Sequence, residues 1–273
     1  MRPGQTGRPG GGDNLPVAEP LGDHRVTELL LLSNSVSPGM GFLEHARGVI
    51  GELVPPGSRL LFIPYASADQ DRYAAVMADA LAPLAITVVS AHAVADPVAE
   101  LAACDAAFCG GGNSFRLLRA LQRAGLVAEL RHRVAAGLPY LGASAGTNMA
   151  CPTLRTTNDM PIVQPDSFEA IGLIPVQINP HYLDPDPASS HEGETRPQRI
   201  AEFLTENDVP VLGLREGSWL RVSGRRATLG GTAGARLFRR AQDACELPPG
   251  ADVSDLLSVR PRFDTPSSGD RPA

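Results

Sequence analysis

The sequence predicts a three-layer α/β domain built on a mostly parallel, flavodoxin-like sheet with an antiparallel extension. Between residues 26 and 160, short continuous runs of Val, Ile and Leu alternate with stretches of helical periodicity. This is the pattern of strands buried on both faces, with a helix crossing between successive strands. After Met160 the alternation stops, and apolar runs joined by short links near Gly217 and Gly224 replace it, which suits antiparallel pairing. At both ends of the chain apolar content falls while glycine and proline collect.

Taken in order, residues 1–25 hold six glycines and four prolines. Such a segment buries too little surface to offset its ordering entropy, so a disordered leader is expected. The folded domain is expected over residues 26–245. Its first strand falls at 28–32, followed by the loop Ser33-Asn34-Ser35 and a helix over 41–53. A second strand over 59–64 leads to a helix over 69–81, and a third over 86–90 to a short helix over 97–103. The fourth strand, 106–109, runs into Gly110-Gly111-Gly112-Asn113, with helices over 114–123 and 126–136 beyond it. Residues 139–141 form the fifth strand. Further strands are expected at 175–179, 209–214, 218–222 and 235–238, with one helix over 195–205. Residues 246–273, with five prolines, are expected to form a flexible tail in which only 253–259 could dock. No internal repeat is present.

Composition narrows the function. A net charge of −6 and a pI near 5.5 argue against nucleic acid or an anionic membrane as the main partner. All 24 basic residues are arginine. Without lysine there is no Schiff-base chemistry, no Ser–Lys dyad and no Walker A phosphate loop. Cys104, Cys109, Cys151 and Cys245 lack C-x-x-C spacing and lie in or beside apolar runs, which suits buried free thiols. No apolar stretch approaches the ~20 residues needed to span a bilayer, and no secretory signal is visible. A cytoplasmic location is the expectation.

Residues 139–151 read Pro-Tyr-Leu-Gly-Ala-Ser-Ala-Gly-Thr-Asn-Met-Ala-Cys, with Gly142, Ser144 and Gly146 spaced as G-x-S-x-G at a strand-to-helix junction. That is the spacing of a nucleophile elbow, where side chains two positions either side of the serine would clash with the joined strand and helix. The same residues also suit an ordinary helix start with serine as N-cap. In a parallel sheet, reactive groups gather beyond the C-terminal strand ends. That rule collects Ser144, the loop 110–113, His181 and Glu216, a set sufficient for acyl transfer.

The glycine run fails as a dinucleotide loop because Phe115 stands at the third glycine position. As an oxyanion hole it would offer unobstructed N–H groups; a structural turn is the alternative. Among six histidines, His24 lies in the leader, and His45, His92 and His132 fall on helices or their approaches. His191-Glu-Gly-Glu lacks a second histidine at Thr195 for a zinc motif. His181, behind a strand and held by Pro180, is the best placed base. Asp159 and Glu216 both suit the carboxylate that would orient it, and the sequence does not separate them.

The residues 109–115 (Cys-Gly-Gly-Gly-Asn-Ser-Phe), 142–146, 150–162 (Ala-Cys-Pro-Thr-Leu-Arg-Thr-Thr-Asn-Asp-Met-Pro-Ile) and 178–181 (Ile-Asn-Pro-His) together resemble the dipeptidase E (aspartyl dipeptidase) family of serine peptidases, related to cyanophycinase. The similarity extends through Gly193-Glu-Thr-Arg196, residues 198–200 and Gly213-Leu-Arg-Glu-Gly217, and covers neither tail. The resemblance implies a class I amidotransferase-like scaffold that hydrolyses dipeptides with an N-terminal aspartate, without metal or cofactor. By motif match it implies Ser144 as nucleophile, His181 as base, Asp159 or Glu216 as third member, and Gly112 and Ala145 as oxyanion donors. Arg196 and Asn113 would bind substrate, Arg196 through a two-pronged grip on the aspartyl carboxylate; a solvated arginine paired with Glu192 or Glu194 is the alternative. Ala143, Thr147 and Arg215 depart from the family pattern, the first two as possible changes to the pocket and Arg215 as a possible second carboxylate partner. A β-aspartyl exopeptidase and a catalytically silent binding module are the competing readings.

Overall fold

The computed structural model describes residues 27–186 and 193–265. The expected leader, and with it His24, lies outside the described residues, as do His191 and Glu192.

Four consecutive leucines make up most of β1 (Glu28–Leu32), and each is fully buried. Successive strand side chains point to opposite faces, so Leu29 and Leu31 join one core while Leu30 and Leu32 join the other. A left-handed Leu43 (φ 56°) delays the helix expected from residue 41. A 3-10 turn at Glu44–Ala46 precedes α1 (Arg47–Leu53). Then follow β2 (Arg59–Ile63), α2 (Gln70–Leu81) capped by Asp69, and β3 (Thr87–Ser90). Next come α3 (Pro97–Ala103), β4 (Ala106–Cys109), α4 (Ser114–Arg123) and α5 (Leu126–Ala135). The strand β5 (Tyr140–Ala143) feeds α6 (Ala145–Ala150). A long irregular segment then leads to β6 (Gln177–Tyr182) and α7 (Arg196–Glu206). The remainder is β7 (Val211–Arg215), β8 (Ser218–Ser223), β9 (Arg226–Gly231), β10 (Ala235–Phe238) and β11 (Cys245–Leu247).

The strands form two sheets. The larger runs β3-β2-β4-β5-β1-β8-β9, with the first five strands parallel and β8 and β9 antiparallel at one edge. Helices α1 and α2 cover one face through Ile50, Leu53, Met77 and Leu81. The other face carries α3 to α6 through Leu101, Leu117, Leu121, Leu130 and Met149. This is the expected three-layer arrangement. The smaller sheet, β11-β10-β7-β6, is more than an edge extension. Ile178, Leu212 and Leu214 pack into the same core as α4 and α6, while α7 covers the far side through Ile200 and Leu204 against Tyr182 and Phe238. Among the described residues no helix is long and apolar enough to cross a membrane.

Two expectations fail against the structure. Residues 246–265 are not a loose tail: Cys245–Leu247 pairs with β10, Thr228 bridges Asp252, and a 3-10 turn at Ser254–Ser258 places Val253 and Leu256 at 2% exposure in the main core. The sequence leaves docking open only to 253–259, where Val253 and Leu256 lie; the proline content hid the rest, because isolated apolar residues in an irregular segment show no periodicity. Of the four cysteines, Cys104, Cys109 and Cys151 are buried and free, whereas Cys245 is exposed on its short edge strand.

Truncating Leu256 tests the first correction. Leu256→Ala should lower stability by about 2–5 kcal/mol, the usual cost of emptying a leucine site in a core, measured by urea denaturation. No change in midpoint would restore the loose tail.

Candidate active site

The elbow forms because backbone meets backbone. A Cβ on Gly142 would stand 2.6 Å from the Gly146 carbonyl, and one on Gly146 would overlap the carbonyl oxygen of Cys109. With both absent, β5 turns directly into α6 and Ser144 takes φ 54°, ψ −110°, a conformation L-residues rarely adopt. The Ser144 N–H donates to the Leu32 carbonyl at 3.1 Å, tying the turn to the neighbouring strand. Thr147, fully buried, donates its hydroxyl to the Leu32 and Gly142 carbonyls (2.6 and 3.0 Å). Ala143 is also fully buried. Both side chains are buried, contrary to the expected change in the pocket, and Thr147 ties the elbow to β1 and β5.

His181 and Glu216 arrive from the smaller sheet. The strand β6 pairs regularly with β7 up to Asn179 and then slips register, with His181 at φ 52°. Polar side chains satisfy the displaced backbone: Asn148 and Thr156 donate to the Ile178 carbonyl (2.9 and 3.0 Å), and Asn158 donates to the Pro180 carbonyl (2.8 Å). The imidazole Nε2 lies 2.9 Å from Ser144 Oγ, and Nδ1 lies 2.6 Å from Glu216 Oε1. Glu216 occupies the two-residue link between β7 and β8, where the chain passes from one sheet to the other.

Sequence reasoning overlooked the residues that set this link. Ser33, fully buried, donates to the Leu214 carbonyl (2.8 Å) and accepts the His181 N–H (2.9 Å). Asn34 accepts the Gly217 N–H at 2.8 Å. The only signal was a Ser-Asn pair directly after a buried strand, which reads as an ordinary loop.

The two candidate carboxylates separate cleanly in space. Asp159 does not reach His181. Its Oδ2 accepts from the Ser114 N–H and hydroxyl, both at 2.7 Å, and from Thr157 at 3.2 Å. It sits at the start of α4, where a carboxylate is favoured by the unpaired N–H groups. Asn113 caps the same helix: its Oδ1 accepts the Arg116 N–H at 3.0 Å and its amide donates to the Met160 carbonyl at 2.9 Å. The expected substrate role is therefore in competition with two structural bonds.

The glycine loop is less open than expected. Gly110 donates to Ile63, Gly111 to the Tyr73 hydroxyl at 2.8 Å, and Asn113 to Ala66. Of the four N–H groups only that of Gly112 has no acceptor among the described residues. Gly112 holds φ 131°, and a Cβ there would meet the Ala66 carbonyl oxygen at 2.5 Å. Ala145 begins α6, so its N–H belongs to the first helical turn, which has no intrahelical acceptor.

Arg196 is half-buried at the first position of α7. Burial and the neighbouring Arg199 push its guanidinium below the usual range, opposed by the Asp159 carboxylate. Among the described residues it makes no ion pair; Glu194 pairs with Arg199 instead, at 3.7 Å. Arg215, the other candidate cation, is bound to Asp184 (2.7 Å) and Glu246 (2.9 Å), which drive its pKa up. It does not compete for a ligand. His45 packs against Trp219, His92 bridges Ser90 and Asp71, and His132 faces Glu129. Burial lifts the thiols of Cys109 and Cys151 to about 12, so neither offers a thiolate. Among the described residues no group of three or more His, Cys, Asp or Glu side chains could hold a metal ion.

A family model, Peptidase family S51, matches residues 29–230. The chain belongs to this family. Peptidase E of Streptomyces coelicolor is 62% identical over 237 residues, covering 87% of this chain and 98% of the relative. A probable alpha-aspartyl dipeptidase of Drosophila melanogaster is 48% identical, covering 84% and 97%. The fold of this S51 chain matches that of a putative peptidase E protein from Listeria monocytogenes with a TM-score of 0.59 at 21% identity, over 76% of this chain and 98% of the other. The S51 match and these relatives make the protein a hydrolase of the serine peptidase type.

Replacing Ser33 tests how His181 is held. Ser33→Ala would leave the His181 N–H and the Leu214 carbonyl without their partner, at a cost of about 1–3 kcal/mol. Urea denaturation should show that loss. An unchanged midpoint would mean the strained His181 is held by other contacts.

Proposed function

We propose that this S51 peptidase hydrolyses dipeptides carrying an N-terminal aspartate, through an acyl-enzyme on Ser144. The observation that carries the reading is the continuous hydrogen-bonded line from Glu216 through His181 to Ser144, at 2.6 and 2.9 Å. Both distances lie within the reach that proton transfer needs.

His181 Nε2 takes the Ser144 proton as Oγ attacks the scissile carbonyl. Glu216 fixes the tautomer with the proton on Nδ1 and stabilises the imidazolium that forms. The Gly112 and Ala145 N–H groups face the developing oxyanion, which they bind more strongly than the ground-state carbonyl. The imidazolium then passes its proton to the leaving amine as the C–N bond breaks. Water, deprotonated by the same imidazole, attacks the ester and frees aspartate.

Selectivity follows from charge. Arg196 is desolvated beside a second arginine and stands at a helix N-terminus, where a cation is disfavoured. A carboxylate bound there relieves all three costs, and the planar guanidinium suits the aspartyl side chain. Asp159, electrostatically coupled to Arg196, supplies the opposite charge for the free α-ammonium of an N-terminal residue.

Substitutions separate these roles. Ser144→Ala should abolish hydrolysis of Asp-Leu. Glu216→Gln should lower kcat by about 10³–10⁴-fold, as loss of the orienting carboxylate does in a serine triad. Asp159→Asn should raise KM more than it lowers kcat; a kcat collapse with Asp159→Asn and none with Glu216→Gln would reverse the assignment.

A substrate panel tests the selectivity. Asp-Leu should be cleaved well ahead of Asn-Leu, Glu-Leu, Ala-Leu and isoAsp-Leu. Arg196→Gln should cut the Asp-over-Asn preference by about tenfold or more, given the strength of a charge-assisted pair. Equal rates across the panel would remove the arginine grip.

A further inference from the structure

The large sheet reverses its winding between β2 and β4: the chain runs outward from β2 to β3, then returns to β4 and onward to β5. In open α/β sheets, ligands bind at the carboxyl ends of the strands flanking such a reversal. The loops leaving these two strands, with one face of α2, line an open cleft of about 400 Å3, within the range of small-ligand sites. Apart from Gly112 in its wall, nothing in the proposed mechanism uses it.

The cleft opens beside the nucleophile. Its wall at Gly111 and Gly112 is the glycine loop, and a Cβ on Gly111 would stand 3.3 Å from Ser144 Cβ. Tyr73 stands at this wall, its hydroxyl accepting the Gly111 N–H at 2.8 Å and its ring edge-on to Phe42, with centroids 5.9 Å apart. One turn further along α2, Val76 lies exposed and lines the same cleft. The cleft is therefore apolar along one side.

Its charged groups are Asp69 and Arg72. Asp69 is engaged as the N-cap of α2, its Oδ1 accepting the Arg72 N–H at 3.1 Å. The Arg72 guanidinium is exposed and makes no ion pair among the described residues. An apolar wall with one uncommitted guanidinium is the chemistry that recognises an amino acid with an apolar side chain and a free carboxylate.

The two ends of the glycine loop face different surroundings. Asn113 and Ser114 lie on the side of Asp159 and, through it, Arg196. Gly111 and Gly112 lie on the side of Tyr73 and Arg72. A dipeptide laid across the loop, with its N-terminal residue toward Arg196, directs its second residue toward Arg72.

We propose that this cleft is the subsite for the leaving amino acid, with Arg72 pairing its free α-carboxylate and Phe42, Tyr73 and Val76 receiving its side chain. The inference rests on the aspartyl dipeptidase reading above. It adds that a cation placed one residue beyond the scissile bond is what favours dipeptides over longer chains.

The test compares Asp-Leu with its C-terminal amide, which keeps the scissile bond and side chain but loses the carboxylate charge. With the unsubstituted protein, kcat/KM for Asp-Leu should exceed that for the amide by about tenfold or more, the scale of a charge-assisted hydrogen bond. Arg72→Gln should bring that ratio close to one, acting through KM. Val76→Glu, which sets a negative charge in the same cleft, should reduce the ratio as well. Thermal melting of both variants reports that they fold. A ratio near one in the unsubstituted protein, or an unchanged ratio in folded Arg72→Gln, overturns the subsite while leaving the peptidase reading intact. Failure of the unsubstituted protein to cleave either compound overturns both.

Discussion

The contact on which the rest of the structure depends is the packing of Gly146 backbone against the Cys109 carbonyl, with Gly142 closing the other side. It lets β5 pass into α6 without a connecting loop and forces Ser144 into a conformation that costs on the order of 1–3 kcal/mol for a non-glycine residue. Such strain persists only where the surroundings over-determine it. Here the Tyr140 hydroxyl donates to Gly146, Thr147 donates to Leu32 and Gly142, and the Ser144 N–H donates to Leu32. Each of these partners is buried, Leu32 and Gly142 in the centre of the large sheet and Gly146 in the helix packed on it, where water cannot replace it. The serine is thus held out from the sheet by a framework with little freedom to relax.

A second strained residue faces it. His181, also at positive φ, stands where β6 slips out of register, and strain at two hydrogen-bonded polar groups is the pattern expected of a preorganised site. Side-chain donors help the irregular strand survive: Asn148 and Thr156 bond the Ile178 carbonyl and Asn158 the Pro180 carbonyl. An unpaired buried backbone group would cost roughly 1–3 kcal/mol each. The polar run around residues 156–159 is therefore a scaffold for the histidine strand, and Asp159 within it serves α4 rather than the imidazole.

Charge follows the same economy of placement. With arginine as its only basic side chain apart from histidine, the protein distinguishes its cations by partner. Arg215, one residue from Glu216, is paired with Asp184 and Glu246. Arg196 is desolvated and without an ion pair among the described residues. Permanently charged guanidinium groups cannot escape burial by losing a proton at neutral pH, so one that is partly desolvated beside Arg199 and opposed only by the Asp159 carboxylate favours a further anion.

What the amino-acid pattern determined by itself was everything encoded locally. The alternation of apolar runs and helical stretches set the parallel strands and their helices, several to the residue, such as 97–103, 106–109 and 114–123. The spacing of Gly142, Ser144 and Gly146 announced the elbow, because crowding at a sharp turn leaves a trace within five residues. Tertiary structure alone decided what depends on which strands meet. The choice of Glu216 over Asp159 and the supporting bonds of Ser33 and Asn34 arise where the smaller sheet crosses the end of the larger one, and three of the four loop N–H groups are committed to Ile63, Ala66 and Tyr73 on and beyond β2. Hydrogen bonds between residues up to 183 positions apart leave no periodicity to read. The sequence leaves docking open to residues 253–259, and Val253 and Leu256 do dock; the pairing of 245–247 with β10 and the bridge of Asp208 to Arg262 escaped for the same reason.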